Sequence, residues 1–241
     1  MNKISKEILI GILLGDGHIR RSGANKAYIT FEQSLKKTEY FNYVHELLRK
    51  EGLNVSDSKS YERFDPRYNK SNESIHFTTK AMEELKPLAD LFLDENGNKK
   101  IPTNIGEHLT HKSLAHWIMD DGQQVKRGGV TLCTDSYNSE EIGILRKALN
   151  DNFNLITSIH NKKGRDESVY ERIYINKTSL EEVKPLLKEH LHSSMLYKIN
   201  ENIEATNVTE NSNAITNNQL AKSDNLSDSD FGNDISDIGD F

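Results

Sequence analysis

The chain has 241 residues, 28% of them charged and 35% hydrophobic, with a formal net charge of −6. That is enough apolar material for one large domain or two small fused ones, and no apolar run nears the roughly eighteen residues that span a bilayer. Cys133 is the single cysteine, which excludes a disulfide framework and a multi-cysteine zinc site.

The opening MNKISKEILI runs at once into a helical pattern, so no signal or transit peptide is expected. A helix is predicted from Ser5 to Leu14, with Ser5 as N-cap. Gly11 and Gly15 lie four apart on one side of it, so a second backbone can approach closely there. The run LIGILLGDG, Leu9 to Gly17, ends in Asp-Gly, as does LAHWIMDDG, Leu114 to Gly122. Gly17 and Gly122 are expected to stop their helices in a left-handed conformation. Asp16 and Asp121 are awkward, because a carboxylate at a helix C-terminus meets the negative end of the macrodipole, at a cost of roughly 0.3–1 kcal/mol. If the two apolar runs pack together, both carboxylates emerge side by side, and adjacent carboxylates at two helix C-termini make a cation site.

Lys26 to Ser34 alternates, with Ile29 and Phe31 inward and Lys26, Tyr28, Thr30 and Glu32 outward. Thr38 is expected to cap an amphipathic helix that stops at Gly52. Strands around Val55 to Phe64 and Ser74 to Thr79 follow, joined by the polar loop DPRYNKSN, then a helix from Lys80 to about Phe92 and the loop DENGNKKIP.

The same order then returns. Val130-Thr131-Leu132 matches Ile29-Thr30-Phe31 at an offset of 101, and Ser139-Glu140 matches Thr38-Glu39 at the same offset. EEVKPLL (Glu181 to Leu187) repeats EELKPLA (Glu83 to Ala89) at an offset of 98, and Lys198-Ile199 repeats Lys100-Ile101. Matched blocks in one order indicate an internal duplication. Each half reads helix–strand–strand–helix–strand–strand–helix, and the halves are expected to be related by a pseudo-two-fold axis with the Asp-Gly helices along it. The expected boundaries are residues 1–98, a linker at 99–109, residues 110–199, and a disordered acidic tail at 200–241. That tail holds nine Asp/Glu and one Lys, leaving 30 Lys+Arg against 28 Asp+Glu before it, a net of +2. A faintly basic body suits nucleic acid only where its basic residues share a face. His108/His111 and His190/His192 have loose metal-like spacing but no cysteine partners, so zinc is not expected. His116 reads as an interface histidine.

A duplicated Asp-Gly helix, each copy followed by paired strands, resembles the LAGLIDADG homing endonucleases, in their single-chain, double-motif branch. The resemblance covers residues 4–199. LIGILLGDG has Leu14 where the namesake motif has its first Asp, and LAHWIMDDG has His116 in place of a glycine; neither departure touches the penultimate Asp. The resemblance implies an α+β fold of two αββαββα subdomains, each with an antiparallel sheet forming one side of a DNA saddle. It makes Asp16 and Asp121 the catalytic, metal-binding positions, with the carbonyls of Gly15 and Asp120 completing the coordination. Hard oxygen ligands suit Mg²⁺, two or more ions with Mn²⁺ as a substitute. The Asp120 carboxylate is read as a neighbouring or capping group rather than a direct ligand. Lys100 and Lys198 take the flanking basic positions, with Lys99 the alternative to Lys100 at one position's remove.

Outward strand positions are candidates for reading the major groove, which a β-ribbon can enter. They are Lys26, Tyr28, Thr30 and Glu32, with Thr131, Cys133 and Asp135 as their counterparts in the second half, and Ser74, His76 and Thr78, matched by Arg172, Tyr174 and Asn176. Arg20, Arg21, Lys59, Arg63, Arg67, Lys126, Arg127, Lys162, Lys163 and Arg165 suit phosphate contacts, which position a protein without specifying sequence. The expected function is a Mg²⁺-dependent, staggered double-strand cut in a long pseudo-palindromic DNA target, made by a monomer. The gene is expected within an intron whose homing the cut promotes, and the Asn/Lys/Ile-rich composition points to an organelle. The rivals are an intron RNA maturase on the same fold and a DNA-binding regulator that does not cut.

Overall fold

The computed structural model describes residues 3–66, 69–164 and 167–201. Arg67, Arg165 and the tail beyond residue 201 lie outside the described residues. Each half of the chain carries the same seven elements in the same order. The first has α1 (Lys3–Leu14), β1 (Gly17–Ser22), β2 (Lys26–Ser34), α2 (Thr38–Lys50), β3 (Lys59–Asp65), β4 (Lys70–Thr78) and α3 (Lys86–Phe92). The second has α4 (His111–Asp121), β5 (Gly122–Gln124), β6 (Val130–Leu132), α5 (Ser139–Phe153), β7 (Thr157–Lys163), β8 (Val169–Ile175) and α6 (Lys177–Lys188). The first sheet has order β1-β2-β4-β3 and the second β5-β6-β8-β7, antiparallel throughout.

The expected duplication is present because both halves solve one burial problem. On β2 the inward residues Ala27, Ile29 and Phe31 are fully buried and the outward ones are not. Phe31 packs on Phe41 and Phe77, at centroid distances of 6.1 and 5.5 Å, joining α2 to the sheet. α1 is buried nearly all round, as befits a helix between a sheet and another helix: Leu9, Ile12 and Leu13 are inaccessible. Its partner is α4, where Leu114, Ala115, Trp117, Ile118 and Met119 are buried as well. A Cβ on Gly11 would fall inside contact distance of the Ser113 carbonyl oxygen and would lie 2.6 Å from the His116 Cβ. The glycine is there to let the two helix backbones approach.

Local expectations fare unevenly. Ser5 is not an N-cap: it lies inside α1, where its hydroxyl donates to the Glu51 carboxylate at 3.3 Å. Thr38 is the first residue of α2 rather than its cap; a 3₁₀ turn at Leu35–Lys37, capped by the Ser34 hydroxyl, leads into the helix. The helix expected from Lys80 begins later, with a 3₁₀ turn at Glu83–Leu85 and α3 from Lys86. Met82 is extended and bridges Ala27, so sheet pairing takes the residues that helical periodicity claimed. The polar loop expected between β3 and β4 is shorter, because the strands run on to Asp65 and from Lys70. No helix among the described residues is long and apolar enough to cross a membrane.

Candidate active site and nucleic-acid interface

α1 and α4 end side by side; α4 hands its chain directly to β5, and α1 reaches β1 through the two-residue turn Gly15–Asp16. Gly17 and Gly122 open β1 and β5 and are not left-handed: Gly122 has φ −68° and ψ 135°, and Gly17 is absent from the positive-φ residues. Their role is space. A Cβ on Gly17 would lie 2.8 Å from the Ile12 carbonyl oxygen, and one on Gly122 would meet the Ile118 carbonyl and lie 3.0 Å from its Cγ2. The sharp exit from helix to strand therefore presses the backbone against the preceding turn, and it aims Asp16 and Asp121 out of the helix ends together.

Around this pair the structure gathers carboxylates and lysines. Asp120 is buried; its Oδ1 accepts the Tyr40 hydroxyl at 2.7 Å and its Oδ2 accepts the Asp16 backbone N–H at 3.2 Å. Gln33 donates from Nε2 to Asp16 Oδ2 at 2.5 Å. Lys99 donates to the carbonyls of Gly15 at 3.2 Å and Gly17 at 3.4 Å. Lys198 donates to the carbonyls of Met119 and of Asp120, the latter at 3.0 Å. The Tyr137 hydroxyl donates to Leu14 O at 2.9 Å, carrying the second half onto the end of α1.

The electrostatics follow from crowding. Burial, and then the Asp16 carboxylate, push Asp121 up to about 7, with Lys99 and Lys198 opposing. Burial and the Asp16 charge likewise hold Asp120 well above the usual carboxylate range, against the Tyr40 hydrogen bond. Burial lowers Lys198 to about 8, helped by Lys37, with the three aspartates opposing. Burial lowers Lys99 also, and Asp121, Asp120 and Asp16 oppose it. Carboxylates that resist ionisation beside one another favour positive charge, and the two ammonium groups already lie against the Gly15 and Asp120 carbonyls. The donors are hard oxygens of the kind Mg²⁺ takes, so the residues fit that ion. Among the described residues no group of three or more His, Cys, Asp or Glu could hold a metal by itself; backbone carbonyls, and oxygens from outside the chain, have to share the coordination.

One assignment moves at this site, and three further residues join it. Lys99, not Lys100, reaches the end of α1; the Lys100 side chain is exposed and its backbone N–H pairs with Phe92 O. The 98-residue repeat pointed one position too far because the bridge between Leu93 and Lys99 sets the local register. Gln33 and Tyr40 were missed, although Gln33 left a trace: it extends the inward series Ala27, Ile29, Phe31 with a polar side chain. Lys37, whose charge acts on both Asp121 and Lys198, left none, since only the fold brings the turn before α2 to the second half.

The outward strand positions form one face on each sheet. On the first, His18, Thr30 and Thr78 lie in a cross-strand row, Arg20 beside Tyr28, and Glu32, His76 and Lys59 in another. Ser74 faces Tyr61, and Arg63 lies farther along β3. The Thr30 and Thr78 hydroxyls are 3.2 Å apart, and Tyr61 donates to Glu32 at 2.6 Å. Lys26 is exposed at the start of β2. On the second sheet Tyr174 lies between Thr131 and Ser158, and His160 stacks on Tyr174 at 4.7 Å and 8°. Lys126 and Arg127 are exposed in the β5–β6 turn, and Lys162 and Lys163 on opposite faces at the end of β7.

Several candidates are committed elsewhere. Arg21 points away from this face and donates to the Asp94 carbonyl at 2.8 Å and the Leu93 carbonyl at 3.3 Å. Arg172 is held by both Asp135 oxygens, at 2.7 and 2.5 Å, and donates to Gln123 at 3.0 Å, so Arg172 and Asp135 act as one unit rather than two readers. Asn176 caps α6 through the Thr178 N–H. Cys133 and Asp135 lie beyond the end of β6, and the Cys133 N–H donates to Asp121 O at 3.1 Å.

Residues 6–183 match the model of the LAGLIDADG DNA endonuclease family. The chain is 28% identical over 208 residues to the DNA endonuclease I-ChuI of Chlamydomonas applanata, covering 81% of this chain and 94% of that one. It is also 28% identical over 205 residues to the cytochrome b mRNA maturase bI2 of Saccharomyces cerevisiae, covering 83% of this chain but 47% of the maturase, so it spans about half that protein's length. Among solved structures, the homing endonuclease I-WcaI bound to its DNA recognition sequence superposes with a TM-score of 0.71 at 28% identity, over 84% of this chain and 88% of that one. With paired Asp-Gly helices, two matched four-stranded sheets and a family match across most of its length, the chain belongs to the LAGLIDADG DNA endonuclease family.

Proposed function

We propose that this chain is a site-specific endonuclease of double-stranded DNA, cutting one strand from Asp16 and the other from Asp121 to leave a staggered break. The observation that carries the reading is the juxtaposition of the two aspartates at the ends of α1 and α4, beside a buried Lys198 and a half-buried Lys99, between two sheets that offer polar outward faces. The DNA-bound state of I-WcaI supports duplex DNA as the partner. One chain holds both halves of the site, so a monomer suffices.

The chain's own groups have separable tasks. Gly15 and Asp120 carbonyls, with the Asp16 and Asp121 carboxylates, would hold divalent cations, Mg²⁺ first and Mn²⁺ as a substitute. When bound, such ions supply Lewis acidity and offset the charge on phosphate and departing oxygen. Gln33 orients the Asp16 carboxylate. Lys99, Lys198 and Lys37 place positive charge where the pentavalent phosphate gathers negative charge. Arg20, Lys26, Lys59, Arg63, Lys126, Arg127 and Lys162 grip the backbone, while Tyr28, Thr30, Glu32, His76, Thr131 and Tyr174 face the bases.

Cleavage of a randomised duplex library with Mg²⁺, beside Ca²⁺ and an Asp121→Asn variant, tests the reading. Discrete products that vanish in the variant are expected; binding without any cut under Mg²⁺ or Mn²⁺ overturns it. A second reading, splicing of intron RNA, is favoured by the similarity to the cytochrome b mRNA maturase. The same relative, with the Asn/Lys/Ile-rich composition, supports an organellar setting. Filter binding to structured intron RNA separates the two activities.

A further inference from the structure

Gly15 and Asp120 occupy the same place in the two motif helices, immediately before Asp16 and Asp121. They do opposite things. Gly15 has no side chain, and the Asp120 carboxylate lies in the space left free: a Cβ on Gly15 would be 2.6 Å from Asp120 Oδ2. That oxygen accepts the Asp16 backbone N–H, and the other accepts the Tyr40 hydroxyl at 2.7 Å. Tyr40 is itself fully buried in the first-half core and edge-on to Phe31 at 6.2 Å. A carboxylate of the second half is thus gripped by two donors of the first, one of them the peptide that carries Asp16.

The second half has no mirror image of this arrangement. At the offset of 101, the counterpart of Tyr40 is Glu141, whose oxygens accept the N–H groups of Ile101 at 2.9 Å and Asn138 at 3.0 Å. The counterpart of Gln33 is Thr134, which donates to Glu171 O at 2.7 Å. Among the described residues no side chain bonds the carboxylate or the amide of Asp121; its carbonyl takes the Cys133 N–H.

We propose that Asp120 and Tyr40 are positioning residues that clamp the Asp16 peptide across the subdomain interface, with no side-chain equivalent at Asp121, so that the two cutting centres are unequal and the Asp16 carboxylate alone is set before cation or DNA arrives. The inference rests on the endonuclease reading above. A peptide held at its amide and a carboxylate held by Gln33 have little freedom left to lose on binding, and fixed geometry of this kind is worth rate. The Asp121 peptide is fixed within α4, but its carboxylate has no side-chain partner among the described residues and has to be ordered by the ligands themselves.

Two measurements test the clamp. In the metal-free protein, amide exchange at Asp16 is expected to rise about tenfold in Asp120→Ala, which removes the acceptor of the Asp16 N–H, with a smaller rise in Tyr40→Phe. Exchange at Asp121 is expected to stay unchanged in both. Tyr40→Phe removes only a hydroxyl and keeps the core, so a folded variant is assured of testing the bond. On a supercoiled plasmid bearing the target, both variants are expected to accumulate nicked circles with Mg²⁺. The slowed strand should be the one most impaired in Asp16→Asn, by about tenfold relative to the other. Unchanged exchange at Asp16, or an equal slowing of both strands, overturns the proposal. If the unsubstituted protein cuts no DNA, the endonuclease reading fails instead, and the exchange measurement still decides the clamp.

Discussion

Asp16 and Asp121 are separated by 105 positions in the chain and meet at the ends of two helices, where burial and mutual repulsion raise Asp121 to about 7. Asp16→Asn and Asp121→Asn are each expected to lower cleavage at least about 10²-fold while target binding in Ca²⁺ persists, as gel shift and strand-resolved assays would show. Lys99→Met should slow cutting by a similar order, whereas Lys100→Met should leave it within about twofold, because only Lys99 reaches the Gly15 carbonyl. His116 offers a test of folding rather than chemistry. Burial lowers its pKa from 6.5 to about 4, opposed by the hydrogen bond to the Lys112 carbonyl. The folded protein therefore keeps the ring neutral while the unfolded chain takes up a proton near pH 6.5. The stability is complete above that pH and is lost as pH falls through about 4, amounting to about 3 kcal/mol. Urea unfolding of the protein and of His116→Gln between pH 7 and 4 would reveal it; parallel pH dependence in the two would refute the assignment.

At the scale of elements, periodicity and the repeat together led to the order of helices and strand pairs, because each half buries one face of a sheet against helices and repeats that pattern, though no strand was placed at Gly17–Ser22. It erred at boundaries where neighbours compete for the backbone. Met82 pairs with Ala27 instead of joining a helix, and the 3₁₀ turn at Leu35–Lys37 displaces Thr38 from the cap. The glycines of α1 were legible as sites of close approach, and the α1–α4 contact gives this a measurable consequence. Gly11→Ala places a methyl against the Ser113 carbonyl and the His116 Cβ, backbone and branch point that cannot swing aside. A loss of about 1–3 kcal/mol is expected in thermal or denaturant unfolding. Gly143, with nothing within 4 Å of its Cβ position on α5, is the control, and Gly143→Ala should be neutral or stabilising by up to about 1 kcal/mol.

For the whole molecule, duplication brings two sheets and two carboxylates together without making them equal. Outward positions differ between the halves: Glu32, His76 and Tyr61 interact on the first sheet, while Arg172, Asp135 and Gln123 interlock on the second. The preferred target is therefore expected to be asymmetric. Replacing either half-site with the inverted repeat of the other should weaken binding at least about tenfold, measured at fixed salt; palindromes bound as tightly as the asymmetric target would contradict it.

The sequence by itself determined the duplication, the fold class, the two Asp-Gly ends and the alternation that separates core from outward face, because these are properties of spacing within one element or one repeat. It did not reach Lys99 over Lys100, the Gln33 bond to Asp16, the approach of Lys37 to the second half, or the pairing of Arg172 with Asp135. Those depend on side chains from segments far apart meeting at one place. Only the tertiary structure decides them, since spacing places a residue on a face while packing chooses what that face touches.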